Sequence, residues 1–200
     1  MRKLLTFDLG GVCFFTNLAE MNKRFTQDTG ISFRPTNGGT YHFYYALDRG
    51  EITVDEYFEA LKEVTGSKKS LHDLQEAYKK AYLETSTLNQ TLLNKIGAFR
   101  TRHRVVCVST TNRFHEQING ERGLFDYFDA LYFSHDMGVL GIDFLRKILA
   151  RERFSMENVL MIDNDAEQIA NGRTLGIETI LFQDNDQLVS ELGKRGLYAS

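Results

Sequence analysis

Three places in this 200-residue chain gather oxygen ligands directly after short apolar runs. The first is Phe7-Asp8-Leu9-Gly10-Gly11-Val12. A carboxylate at the carboxyl end of a parallel strand points into the crevice where open α/β sheets bind their ligands. Glycines behind it let the backbone turn sharply and approach a ligand closely. The second is Ser109-Thr110-Thr111-Asn112-Arg113, where a hydroxyl beside backbone amides can hold a phosphate oxygen. The third is Met161-Ile162-Asp163-Asn164-Asp165, a polar cluster suited to a hard cation. Each has a plainer reading alone: an Asp can cap a loop, Ser and Thr cap helices, and an acidic turn can be a capped turn. Two acids flanking an amide are nevertheless costly to place together without a cation or donors. The joint pattern is far more specific than any of its parts.

The elements that must position these groups are legible as runs. Lys3 to Phe7, Arg104 to Val108, Ala130 to Phe133, Val159 to Ile162 and Thr179 to Phe182 are apolar without polar alternation, as strands covered on both faces are. Helix-period segments such as Phe144, Leu145, Ile148 and Leu149 lie between them and supply the crossovers a parallel sheet needs. The fold class is therefore α/β, a doubly wound (Rossmann-like) five-stranded parallel sheet. The interval from about Phe14 to Arg102 carries helix signals and no convincing strand, so it reads as an insertion after strand one. Thr53-Val54-Asp55-Glu56 is a capping box ahead of Phe58, Leu61 and Val64, with Gly66 as the stop. A second helix starts near Ser70, and a third, Leu88 through Phe99, returns the chain to the sheet. Thr36 to Thr40 reads as a flexible loop. The expected division is a core of residues 1–14 and 91–200 with a helical cap of residues 15–90.

The three strand-end motifs, with a helical insertion after the first, resemble the haloacid-dehalogenase-like (HAD) superfamily. Asp8-Leu9-Gly10-Gly11-Val12 is similar to its first motif, Ser109 to Arg113 to its second, and Met161 to Asp165 to its fourth. Gly123-Leu124-Phe125-Asp126-Tyr127-Phe128-Asp129 and Ser134-His135-Asp136-Met137-Gly138 resemble the phrases before its third motif, and Leu175 to Thr179 the lead into strand five. With the segment Asp48 to Ile52, the likeness is nearest the branch of glucose-1-phosphate phosphatase and the phosphatase domain of soluble epoxide hydrolases. The resemblance implies Mg²⁺-dependent transfer of a phosphoryl group to Asp8 from a small phosphorylated metabolite. Asp8 and Ser109 would be catalytic. Gly10, Gly11, Ser109, Thr110 and Asn112 would bind phosphate, and Asp8, Gly10, Asp163, Asn164 and Asp165 the metal.

The chain departs from the family pattern at three positions. Gly10 stands where most members carry a second Asp, the general acid and base, a role worth about 10² to 10⁴ in rate. The resembling branch also carries Gly there. Gly141 stands where the third-motif lysine is expected, and about two residues are missing before the next helix. At roughly 4 Å and an effective dielectric near 20, that ammonium is worth about 4 kcal/mol to an adjacent anion, about a thousandfold in rate if fully expressed. Lys147 could replace it only if its helix aims inward, and it reads instead as a solvated helix residue. Asn164 stands where a metal-binding Asp is expected, and Gln168 where a second acid or Asn is usual. The alternative function is a catalytically inactive HAD-fold protein that binds a phosphorylated ligand or a protein partner. A 2-haloacid dehalogenase also needs the missing lysine and ranks last.

Composition bounds the rest. A formal net charge of -3 gives no basic field for nucleic acid or anionic lipid. No apolar run approaches a membrane span, and the opening residues do not form a signal peptide, so a cytoplasmic location is expected. Cys13 and Cys107 read as reduced core residues. His42, His72, His103, His115 and His135 lack ligand spacing and read as surface or helix-end residues.

Overall fold

The computed structural model describes residues 2–33 and 41–197. In chain order, β1 (Leu4–Phe7) and β2 (Phe14–Thr16) precede α1 (Leu18–Thr29), α2 (Tyr41–Asp48), α3 (Val54–Thr65) and α4 (Leu71–Thr85). Then come β3 (Ser86–Leu88), α5 (Gln90–Phe99), β4 (Arg104–Ser109), α6 (Arg113–Glu121), β5 (Ala130–Phe133), α7 (Ser134–Met137) and α8 (Gly141–Glu152). The chain continues with β6 (Val159–Asp163), α9 (Ala166–Thr174), β7 (Glu178–Leu181) and α10 (Asn185–Lys194).

The five expected strands form one sheet in the order β5-β4-β1-β6-β7, every pair parallel. Alternation along the strands divides the core. Leu5, Phe7, Val105, Cys107, Leu160 and Ile162 face one layer, and Leu4, Val106, Val108, Val159 and Met161 face the other. The second layer is closed by Phe144, Leu145, Ile148 and Leu149 of α8. These are the spacings that put one stripe of a helix against a sheet. Both cysteines are free and buried, as core residues should be.

The insertion is not purely helical. β2 and β3 pair antiparallel, with Phe14 opposite Leu88 and Thr16 opposite Ser86, and so close its base. Three-residue strands are too short to show a period in sequence, which is why they were invisible there. The helices keep their expected ends: Thr53 and Glu56 form the capping box of α3, and Gly66 ends it in the left-handed region. Residues 36–40, read as a loop, lie outside the described residues.

Helices α1, α3 and α4 do not sit apart from the sheet. Met21, Phe25, Phe58, Leu61, Tyr78 and Tyr82 belong to the same continuous apolar cluster as Leu5 and Phe7. The join runs through α6. Phe114 meets the rings of Phe58 and Tyr78 at 5.8 and 5.6 Å, and the His115 ring stacks on Tyr78 and Tyr82 at 5.8 and 4.8 Å.

Candidate active site

The parallel sheet delivers the three motifs to one end. Asp8 follows β1, Ser109 ends β4, and Asp163 ends β6, on three neighbouring strands. Asp8, Gly10, Ser109, Thr110, Asp163, Asn164 and Asp165 together line a crevice of about 580 Å³. Glycine chemistry makes the turn after Asp8 possible. The Leu9 carbonyl accepts from the amides of Val12, Cys13 and Phe14, and Gly11 takes a φ of 81°. A Cβ on Gly11 would lie 2.5 Å from Asn164 Nδ2, so the first and fourth motifs close on each other only because that position is glycine.

The Asp8 carboxyl opens onto the crevice but is enclosed on its other sides. Burial, followed by the repulsion of Asp163, holds it well above the ordinary carboxylate range, although a side-chain hydrogen bond with Ser109 pulls the other way. Asp163 is itself pushed from an ordinary 3.8 to about 6, mainly by burial, while its Oδ1 accepts from the Asp165 amide at 2.8 Å. Asp165 caps α9 by accepting from the Glu167 amide at 2.7 Å. The site thus presents Asp8, Asp163, Asp165 and Glu167 to one space. Among the described residues that line it there is no Lys, Arg or His. Hard oxygen donors whose mutual repulsion no cationic side chain offsets among the described lining residues are a donor set that fits a divalent cation.

Two of the sequence-selected phosphate groups are used elsewhere. Asn112 is buried, caps α6 through Oδ1 to the His115 amide at 3.0 Å, and donates through Nδ2 to Asp48 Oδ1 at 3.0 Å. Its amide is spent joining the insertion to the core and does not line the crevice. Gly11 supports Asn164 from behind instead of lining the space. Lys147 donates to the Met137 carbonyl at 3.0 Å and lies outside the lining, as a solvated helix residue would. Gly141 does line it, with a φ of 58°, a backbone that disfavours any side chain at that position.

Sequence reasoning missed the seam between insertion and core. Asp48, pushed to about 6 by burial, accepts from Asn112, and Ser134 Oγ donates to the Asp48 carbonyl at 2.6 Å. Of the histidines read as surface or helix-end residues, His115 and His135 do stand in the first turns of α6 and α7, but their rings point inward. His115 Nε2 lies 2.8 Å from the Tyr78 hydroxyl, and burial lowers it to about 4. His135 sets Nδ1 against the Thr111 carbonyl at 2.9 Å and Nε2 against Glu116 at 3.0 Å. Tyr45 of α2 was also missed: it lines the crevice from the insertion. Only the spacing of Tyr45 from the buried Leu47 could have suggested that it faces another way.

No family model matches the chain. Among curated proteins, drimenol cyclase drtB of Aspergillus calidoustus is 26% identical over 200 residues, covering 96% of this chain. The chain spans 36% of that protein's length. Among solved structures, a HAD family enzyme of Bacteroides thetaiotaomicron, in complex with magnesium and inorganic phosphate, superposes with a TM-score of 0.80 at 19% identity. The match covers 94% of this chain and 99% of that one. The L-2-haloacid dehalogenase of Xanthobacter autotrophicus, with chloropropionic acid covalently bound, gives a TM-score of 0.60 at 14% identity, covering 99% and 85%. At these identities the structural likeness is one of fold.

Proposed function

We propose that this chain, which has the haloacid-dehalogenase fold, is a weak Mg²⁺-dependent hydrolase that moves a phosphoryl group from a small phosphorylated metabolite to Asp8 and then to water. The observation that carries this reading is Asp8 itself, a carboxyl at the mouth of β1 that lines one crevice with Ser109 of β4 and Asp163 of β6. The relative crystallised with magnesium and phosphate lends the reading support.

Asp8, the Gly10 carbonyl, Asp163, Asn164 and Asp165 would hold the cation. Bound there, Mg²⁺ supplies positive charge against the repulsion between carboxylates and phosphate. The chain's own groups do the rest. An Asp8 carboxylate oxygen attacks phosphorus while the bond to the leaving oxygen breaks. Ser109 donates to a phosphoryl oxygen and holds it in line, with the exposed Thr110 beside it. Water then attacks phosphorus, the bond to Asp8 breaks, and phosphate leaves. Gly10 offers no side chain to move the protons, so solvent must take and return them, consistent with a loss of about 10² to 10⁴ in rate. Residues 15–90 would act as the cap that chooses the substrate, with Tyr45 reaching the crevice.

The test is hydrolysis of a generic aryl phosphate by wild type and Asp8→Asn at matched purity. The reading predicts slow, Mg²⁺-dependent turnover lost in the variant. Equal rates would refute it. One observation favours a second reading, an inactive HAD-fold protein that binds a phosphorylated ligand or protein partner: no cationic side chain lines the crevice among the described residues. That protein would bind phosphate with Mg²⁺ and release no product.

A further inference from the structure

We propose that Glu116, His135 and Asp136 form a second metal site, outside the crevice, that takes a transition-metal ion of the zinc class; the proposal stands independently of the phosphoryl-transfer reading. β4 and β5 are parallel neighbours, so the helices that follow them start side by side. Glu116 lies in the first turn of α6, and His135 and Asp136 lie in α7. One ligand atom from each residue lies within 4.8 Å of the other two. His135 Nε2 stands 3.0 Å from Glu116 Oε2 and 3.7 Å from Asp136 Oδ1. Tetrahedral zinc, with bonds of roughly 2.0–2.2 Å, needs ligand atoms about 3.4 Å apart, which falls between those values.

The His135 ring is a second, independent observation. Its side chain is 4% exposed and lies flat against Phe133 at 5.6 Å. Nδ1 faces the Thr111 carbonyl at 2.9 Å. A carbonyl only accepts, so Nδ1 carries a proton and donates it. Nε2 is left facing carboxylate oxygens, which also only accept, so a proton or a cation must stand between them. A backbone carbonyl behind one ring nitrogen is the arrangement that orients an imidazole binding metal through the other. One imidazole with two carboxylates suits zinc, with water in the fourth position, whereas magnesium keeps to oxygen donors such as those of the crevice. Arg113 marks the place: its guanidinium bridges Glu116 and Asp136. That side chain is half exposed, and ion pairs of this kind are weak enough for a metal ion to displace it.

The experiment titrates the full chain with zinc chloride in a calorimeter, in excess Mg²⁺ so that the crevice is already supplied, and follows the histidine ring nitrogens by nuclear magnetic resonance. One zinc ion should bind and shift the signals of one of the five histidines. His135→Ala should abolish binding. Because that buried ring also packs on Phe133, Asp136→Asn and Glu116→Gln serve beside it: Asp136 is exposed and Gln keeps the shape of Glu, and each should weaken zinc by about tenfold or more. Arg113→Ala should tighten it by about two- to tenfold, as the competing ion pairs are removed. Asp8→Asn, and His72→Ala at an exposed histidine of α4, should leave the zinc isotherm intact. No zinc binding by wild type, binding undiminished in Asp136→Asn and Glu116→Gln, or binding weakened in Arg113→Ala would overturn the proposal. So would zinc lost in Asp8→Asn, which would place the ion in the crevice, or lost in His72→Ala, which would mark adventitious surface binding.

Discussion

Replacing Asp163 by Asn should stabilise the metal-free protein while removing its response to magnesium. Asp163 is 5% exposed, faces Asp8, and is raised from 3.8 to about 6. Because the folded value lies above the unfolded one, the native state binds the extra proton between those values. Stability therefore falls as pH rises through that window, and the full cost is present above about 6. At about 1.4 kcal/mol per unit, the cost reaches up to about 3 kcal/mol. Asn keeps the acceptor that meets the Asp165 amide but carries no charge. In thermal melts with chelator near neutral pH, the variant should melt higher, by up to about 6 to 12 °C at roughly 2–4 °C per kcal/mol. The gap should close below about pH 3.8, where both side chains are neutral. Magnesium at about a hundred times its dissociation constant should return about 2.7 kcal/mol to wild type and much less to the variant. A variant no more stable than wild type without metal, or a gap that persists in acid, would refute the reasoning.

Other outcomes follow from the same geometry. His115, lowered to about 4, is neutral in the fold and protonates only on unfolding below 6.5, so stability should fall by about 3 kcal/mol as pH drops across that span. Urea titrations of His115→Gln should lack this acid loss, apart from slopes contributed by other groups. Gly11→Ala should cost about 1–2 kcal/mol in backbone strain alone and sharply weaken magnesium binding, because its methyl group displaces Asn164; calorimetry unchanged from wild type would contradict that. Asn164→Asp should tighten magnesium in the same assay. Gly141→Lys alone should disappoint, since φ is 58° there, whereas the substitution with two residues reinserted should raise turnover, up to about a thousandfold.

The sheet was readable because strands covered on both faces leave long apolar runs, and Leu4–Phe7 and Val159–Asp163 fall within a residue of where those runs place them. The convergence of Asp8, Ser109 and Asn164 on one crevice was readable because a parallel sheet puts the ends of its strands side by side. Asn112 was misjudged for a physical reason: a cap residue and a phosphate donor have the same sequence signature, and only the packing of Asp48 against it decides between them. The α6 seam was unreadable because Phe114 and His115 meet partners 56 and 33 residues earlier in the chain, Phe58 and Tyr82, and no local period records that.

The central claim is that Asp8 carries the phosphoryl group, and mass spectrometry of rapidly quenched protein tests it most directly. With aryl phosphate and Mg²⁺, one phosphoryl group should appear on the peptide containing Asp8, vanish with chelator, and be absent in Asp8→Asn. Product release without that modified peptide, or a phosphoryl group found on another residue, would contradict the account.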